Sequence, residues 1–227
     1  MECVFIELYG IPGVGKTTVS NILKKKFQTR GQNVTVYAEL FRNIQMEDAW
    51  KGKLLVSEID FDLLKIFCSL LQIWNSIPNK NRFDLKYTFY ISLNFLVYKR
   101  ISKSEKGIVI CDEGIIQYVF SIYYNRSIGN INEIRCILNA TRKIFSHCIY
   151  VNLIADHETI AQRIKKRPNG KSRLDDENES SIHDIINIQE RNMDLVSCLI
   201  PEASKVVVST ENVPDDVANC IMDRLRV

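Results

Sequence analysis

The sequence predicts a three-layer α/β fold built on a five-stranded parallel sheet. Two observations carry that expectation. Short apolar runs alternate with stretches of helical spacing, as they do when each strand returns through a covering helix. Gly and Pro are sparse, at 9 and 5 residues, while 46% of the chain is apolar and 25% charged, the composition of an ordinary globular protein.

The first apolar run, Cys3 to Tyr9, ends in glycine and reads as a buried strand. Val14 to Phe27 follows with helical spacing, placing Val19, Ile22, Leu23 and Phe27 on one side. Gly31 closes that helix, and Val34 to Ala38 reads as the second strand. Ile108 to Cys111, His147 to Leu153 and Lys205 to Ser209 supply the third, fourth and fifth strands. Helices are expected near Asn130 to Phe145, Asp156 to Arg167, Ser180 to Leu199 and Asp215 to Leu225. Between strands two and three the short rhythm breaks. Two long helical patterns, about Leu54 to Trp74 and Asp84 to Ser102, flank the breaker stretch Asn75 to Arg82. A length of 227 residues fits one domain spanning 1–227, with a helical insertion at about 40–106 and a lid at about 163–177.

Composition excludes several classes. A formal charge of +3 is too small for a protein that works by neutralising nucleic-acid phosphates. Lys24, Lys25 and Lys26 read as a solvated helix face. Seven cysteines, an odd number without CxxC spacing, suggest neither a disulfide framework nor a zinc site. The opening residues, MECVFIELYG, have no basic leader region. Leu63 to Trp74 is too short to span a bilayer and contains Lys65. A reducing cytoplasm and no membrane partner are expected.

Gly10-Ile-Pro-Gly-Val-Gly-Lys-Thr17 matches G-x-x-x-x-G-K-[ST] in full, with a strand before it and a helix after it. Glycines let the backbone wrap a phosphate and turn its N–H groups inward. The helix that follows aims its first amides at the same anion. Gly10, Gly13, Val14, Gly15, Lys16, Thr17 and Thr18 are therefore expected to hold the phosphates of ATP, with Lys16 on the β- and γ-phosphates. The Thr17 hydroxyl is expected to ligate Mg²⁺.

Ligands of open parallel sheets sit outside the carboxyl ends of the strands. Glu39 follows the second predicted strand, and Asp112 and Glu113 follow the third. An apolar strand ending in Asp also fits the second magnesium ligand, Asp112, although the same acids suit a cap on the helix starting near Ile115. Either Glu39 or Asp112 could accept a hydroxyl proton. Arg163 and Arg167 lie four apart on one predicted helix face, and Arg173 follows in a polar loop. Planar guanidinium groups match phosphate oxygens in pairs, so Arg163 and Arg167 suit a clamp on a transferring phosphoryl group. A solvated basic helix end is the alternative.

This arrangement resembles the nucleoside and nucleotide kinase branch of the P-loop proteins. The resemblance rests on the loop from Gly10 to Thr17, Glu39 after strand two and the helical insertion. It also rests on the Asp112-Glu113-Gly114 turn and the Arg163/Arg167 spacing. The stretch from Tyr87 to Arg100 is similar to the substrate-lining helix of deoxynucleoside kinases, and thymidylate kinases are the sister possibility. The resemblance implies ATP- and Mg²⁺-dependent transfer of the γ-phosphoryl group to a small acceptor, a nucleoside or nucleoside monophosphate. It makes Glu39 the general base. The chain departs from that pattern at Gly114, where deoxynucleoside and thymidylate kinases carry arginine. That departure leaves room for a non-nucleoside alcohol as acceptor. A P-loop ATPase or regulatory nucleotide-binding module is a further reading, and a homodimer is admitted as an assembly. Tyr87, Phe89, Tyr90, Phe95 and Tyr98 read as core aromatics before base-stacking ones.

Overall fold

In the computed structural model, which describes residues 3–47, 60–77, 82–145, 147–166 and 177–225, the five strands form one sheet. They are β1 (Cys3–Tyr9), β2 (Val34–Val36), β3 (Gly107–Cys111), β4 (His147–Ile154) and β5 (Lys205–Ser209). Their order is β2-β3-β1-β4-β5, and every pairing is parallel. The expected five-stranded parallel sheet is present.

Side chains alternate across a strand, and β1 shows what each face requires. Ile6 and Leu8 point into one apolar layer with Val19, Leu23, Phe27 and Ile221, which belong to α1 (Lys16–Thr29) and the last helix, α9 (Pro214–Leu225). Phe5 and Tyr9 point into the other layer. That layer is covered by α3 (Phe61–Ser76), α4 (Arg82–Ser104), α5 (Ile115–Ile122), α6 (Ile131–Ile144) and α8 (Glu179–Ser197). Phe5 anchors it, stacked on Phe145 at 4.3 Å and edge-on to Tyr98 at 4.7 Å. Phe95 and Tyr98 are fully buried there, whereas Phe89 is 63% exposed. The aromatic run of the insertion therefore divides between core and surface.

Two of the element boundaries that differ from expectation do so for a visible reason. The first helix begins at Lys16, because Gly15 holds a positive φ of 102° that the helix cannot continue through. The second strand stops at Val36, and Tyr37 opens α2 (Tyr37–Glu47). Turning into a helix there lets the Tyr37 ring bury edge-on to Tyr98 at 5.2 Å. Its hydroxyl donates to the Asn94 Oδ1. Residues 54–59, included in the first predicted insertion helix, lie outside the described residues. The remainder of that helix starts after Asp60, whose carboxylate accepts the Leu63 amide at 2.9 Å. Among the described residues no helix is long and apolar enough to cross a membrane. All seven cysteines are free.

Candidate nucleotide site and acidic turn

The loop between β1 and α1 has the backbone that the motif demands. Gly10, Gly13 and Gly15 all take positive φ. At Gly10 a side chain is excluded by space as well, since a Cβ would lie 2.5 Å from the Leu153 carbonyl oxygen of β4. No side chain caps α1 at Gly15, and its first turn holds no acid, so the helix presents its amides to an anion. Lys16 folds over the loop, its Nζ donating to the Gly10 carbonyl at 2.8 Å and the Ile11 carbonyl at 3.3 Å. Thr17 and Thr18 are exposed beside it.

β1 and β3 are neighbours, with Glu7 opposite Cys111. That register brings Asp112 and Glu113 to the same sheet edge as the loop. Asp112 is half-buried. Glu113 keeps an open solvent-facing surface, yet the chain crowded around it pushes its carboxyl above the usual range. Asp112 adds to that rise and Lys16 opposes it, so both charges act on the same carboxyl.

Tyr118 of α5 stands on the far side of the turn. Its phenol is raised well above its ordinary value by burial, then by Cys111 and Glu113. Its ring lies 5.8 Å from that of Tyr90 and 6.1 Å from that of Tyr87. A wall of three tyrosines therefore runs from the insertion to the acidic turn. Of these, Tyr118 was missed by reasoning from sequence, because it falls in a short helix that carries no motif.

Glu39 lies in the first turn of α2, just beyond β2. Both its oxygens are held by Lys24 of α1, at 2.7 and 2.8 Å. The lysine cluster is thus not a uniformly solvated face. Lys24 meets Glu39, and Lys26 meets Asp215 of α9 at 2.7 Å, leaving Lys25 as the exposed member.

Arg163 sits on α7 (His157–Lys165), and its guanidinium is turned to protein. It donates to the Val14 carbonyl at 3.2 Å, to the Thr210 hydroxyl at 3.0 Å and to the Thr210 carbonyl at 2.6 Å. Thr210 in turn is tied to the end of β4 through the Ile154 carbonyl. Arg163 therefore braces the phosphate loop against the segment after β5, a role that helical spacing cannot reveal. The same residues border a cleft of about 310 Å³ lined by Gly13, Gly15, Thr18, Arg163, Thr210 and Pro214. Arg167 and Arg173 lie outside the described residues.

Buried Glu7 is a second site feature that sequence reasoning passed over. It is fully inaccessible within β1, and its Oε1 accepts the Ile116 amide at 2.7 Å. Burial raises its pKa to about 8, against the opposing pull of the Ile116 and Gln117 amides. An acid inside an apolar strand was the available signal.

Comparison with known proteins follows the same lines. A family model described as an AAA domain matches residues 6–184. None of the curated proteins matches the sequence. Among solved structures, an unliganded sugar kinase from Janibacter sp. HTCC2649 is 13% identical with a TM-score of 0.50, covering 99% of this chain and 95% of that one. A deoxyadenosine kinase from M. mycoides with bound dATP is 15% identical with a TM-score of 0.51, and each chain is covered completely. At these identities the likeness is one of fold, the P-loop kinase fold.

Proposed function

Because the chain belongs to the AAA domain family, we propose that it is an ATP- and Mg²⁺-dependent phosphotransferase acting on a small hydroxyl acceptor, a nucleoside or nucleoside monophosphate. One observation carries the reading: a complete phosphate loop and the Asp112–Glu113 turn meet at one sheet edge, close enough for Lys16 to act on Glu113.

The loop amides and Lys16 hold the β- and γ-phosphates, and the cleft beside Gly15, Arg163 and Thr210 takes the base. Arg163 acts by keeping the loop in register, since three of its donors bond Val14 and Thr210. The residues fit a magnesium ion. Thr17 is exposed at the helix start and Asp112 stands at the neighbouring strand end. Magnesium is bound through one or two protein oxygens plus phosphates rather than by a protein cage. When bound, the ion would neutralise charge between the β- and γ-phosphates. The acceptor hydroxyl attacks the γ-phosphorus in line, ADP leaves with the bridging oxygen, and Asp112 or Glu39 takes the proton. The tyrosine wall offers a flat acceptor its stacking surface.

The second reading is acceptor-free ATP hydrolysis, favoured by Glu113 beside Asp112 in a chain of this family. An acceptor screen with labelled ATP separates the two, using nucleosides, monophosphates and small alcohols including sugars. Phosphate appearing on an acceptor, with little hydrolysis in its absence, is the expected result. Steady hydrolysis that no acceptor changes would sink the kinase reading.

A further inference from the structure

The Asp112–Glu113–Gly114 turn leads straight into α5, and Gly114 occupies its N-cap position without any side-chain cap bond. A helix start normally recruits a local Ser, Thr, Asp or Asn for that purpose. Here the cap comes from elsewhere. Glu7 Oε1 accepts the Ile116 amide at 2.7 Å across 109 residues of sequence. That is the second amide of the helix, one that an N-cap side chain serves. The carboxyl also fills the space that a local cap would use. A Cβ at position 114 would lie 2.4 Å from Glu7 Cδ and Oε1 and 2.8 Å from Cγ. Gly114 has an ordinary negative φ of −95°, so the constraint is one of space rather than of backbone conformation. Glu7 cannot easily yield, being completely buried between Phe5 and Tyr9 on a central strand.

We propose that Glu7 is a positioning residue that caps α5 from β1 in place of any side chain at position 114, and so sets where Asp112 and Glu113 stand over the phosphate loop. The pairing also accounts for the glycine in the turn: the volume for a larger residue is taken by the Glu7 carboxyl. The capping role stands on geometry alone, while its effect on turnover rests on the phosphotransferase reading above.

A four-variant cycle tests it. Gly114→Ser should lower Tm by about 3 to 10 °C, because it overpacks a buried carboxyl. Glu7→Ala should lower Tm as well and free the Ile116 amide to exchange with solvent at least roughly tenfold faster. The double variant Glu7→Ala/Gly114→Ser should be more stable than the sum of the two losses predicts, since the introduced hydroxyl can cap α5 in the vacated space. Glu7→Gln keeps an acceptor of the same shape and should retain slow exchange at Ile116. Simple additivity of the two losses would overturn the proposal, as would a silent Gly114→Ser or unchanged amide exchange in Glu7→Ala. Should Glu7→Ala fail to fold, Gly114→Ser and Glu7→Gln still decide the steric and capping claims separately. In turnover, Glu7→Ala should lower kcat at least roughly tenfold with KM for ATP within about twofold, and Glu7→Gln should restore most of it. Failure of the wild-type protein to phosphorylate any acceptor would sink the kinase reading and leave the stability cycle to judge Glu7.

Discussion

Eight consecutive residues make the phosphate loop, whereas the acidic turn facing it draws on β1, β3, α4 and α5. Gly10 to Thr17 carries its own instructions: glycines with positive φ, a lysine folded back on the loop carbonyls, and a helix start without a cap. The turn has none of that autonomy. Asp112 and Glu113 are placed by the register of β3 on β1 and by the Glu7 cap on α5, whose Tyr118 meets tyrosines arriving from the insertion. A locally encoded site tolerates change elsewhere in the chain. A site assembled from distant parts is exposed to every one of them.

The largest expected effect falls on the local side. Lys16→Ala should lower kcat/KM for ATP by about a thousandfold, as loss of a single charge stabiliser does, with Tm nearly unchanged. Undiminished turnover would break the comparison, since the loop would then not be serving phosphates. On the assembled side, Asp112→Asn should lower kcat by about a hundredfold. A change confined to ATP affinity in varied Mg²⁺ would assign Asp112 to the metal and not to the proton. Glu39→Gln sharpens this further, with an expected loss of about tenfold in turnover and little in ATP affinity. No effect on turnover or acceptor binding would make the Lys24–Glu39 pair a surface ion pair of small worth.

Two smaller effects concern stability. Arg163→Ala removes donors to Val14 and Thr210 and should cost about 1 to 3 kcal/mol, read as a Tm lower by roughly 2 to 10 °C. It should raise KM for ATP more than it lowers kcat, and the reverse pattern would return Arg163 to the transferring phosphoryl group. Stability should also depend on pH through Glu7. Glu7 has a folded pKa raised to about 8, above the 4.5 of a free glutamate, because burial penalises its charge. The folded state then binds the proton more tightly, so this contribution is complete below pH 4.5 and is lost as pH rises through about 8. Glu7 faces Tyr9, Tyr37, Tyr98 and Cys111, whose ionisation its charge further opposes. Glu7→Gln should flatten the decline of unfolding free energy between about pH 5 and 8 measured in urea. An identical slope in both proteins would remove Glu7 from the account.

Element types were legible because burial on both faces writes long apolar runs, and because the βα alternation is regular. The ends of those elements were less so. Val34 to Ala38 looks extended by composition, yet Tyr37 gains more by turning into the core against Tyr98 than by lengthening a three-residue strand. Arg163 and Arg167 were paired by helical spacing, but spacing does not say what a guanidinium meets. For Arg163 the answer lies at Thr210, 47 residues away. Lys24 read as a solvated charge until α2 delivered Glu39 to it.

By itself the sequence determined the sheet, its helical cover and the phosphate loop, because each depends on periodicity or on consecutive residues with fixed backbone needs. Only the tertiary structure decided what surrounds the acidic turn, the brace at Arg163 and the meaning of Glu7. The physical reason is that a buried carboxyl, a missing side chain and a helix start become one device only when β1 and β3 lie side by side.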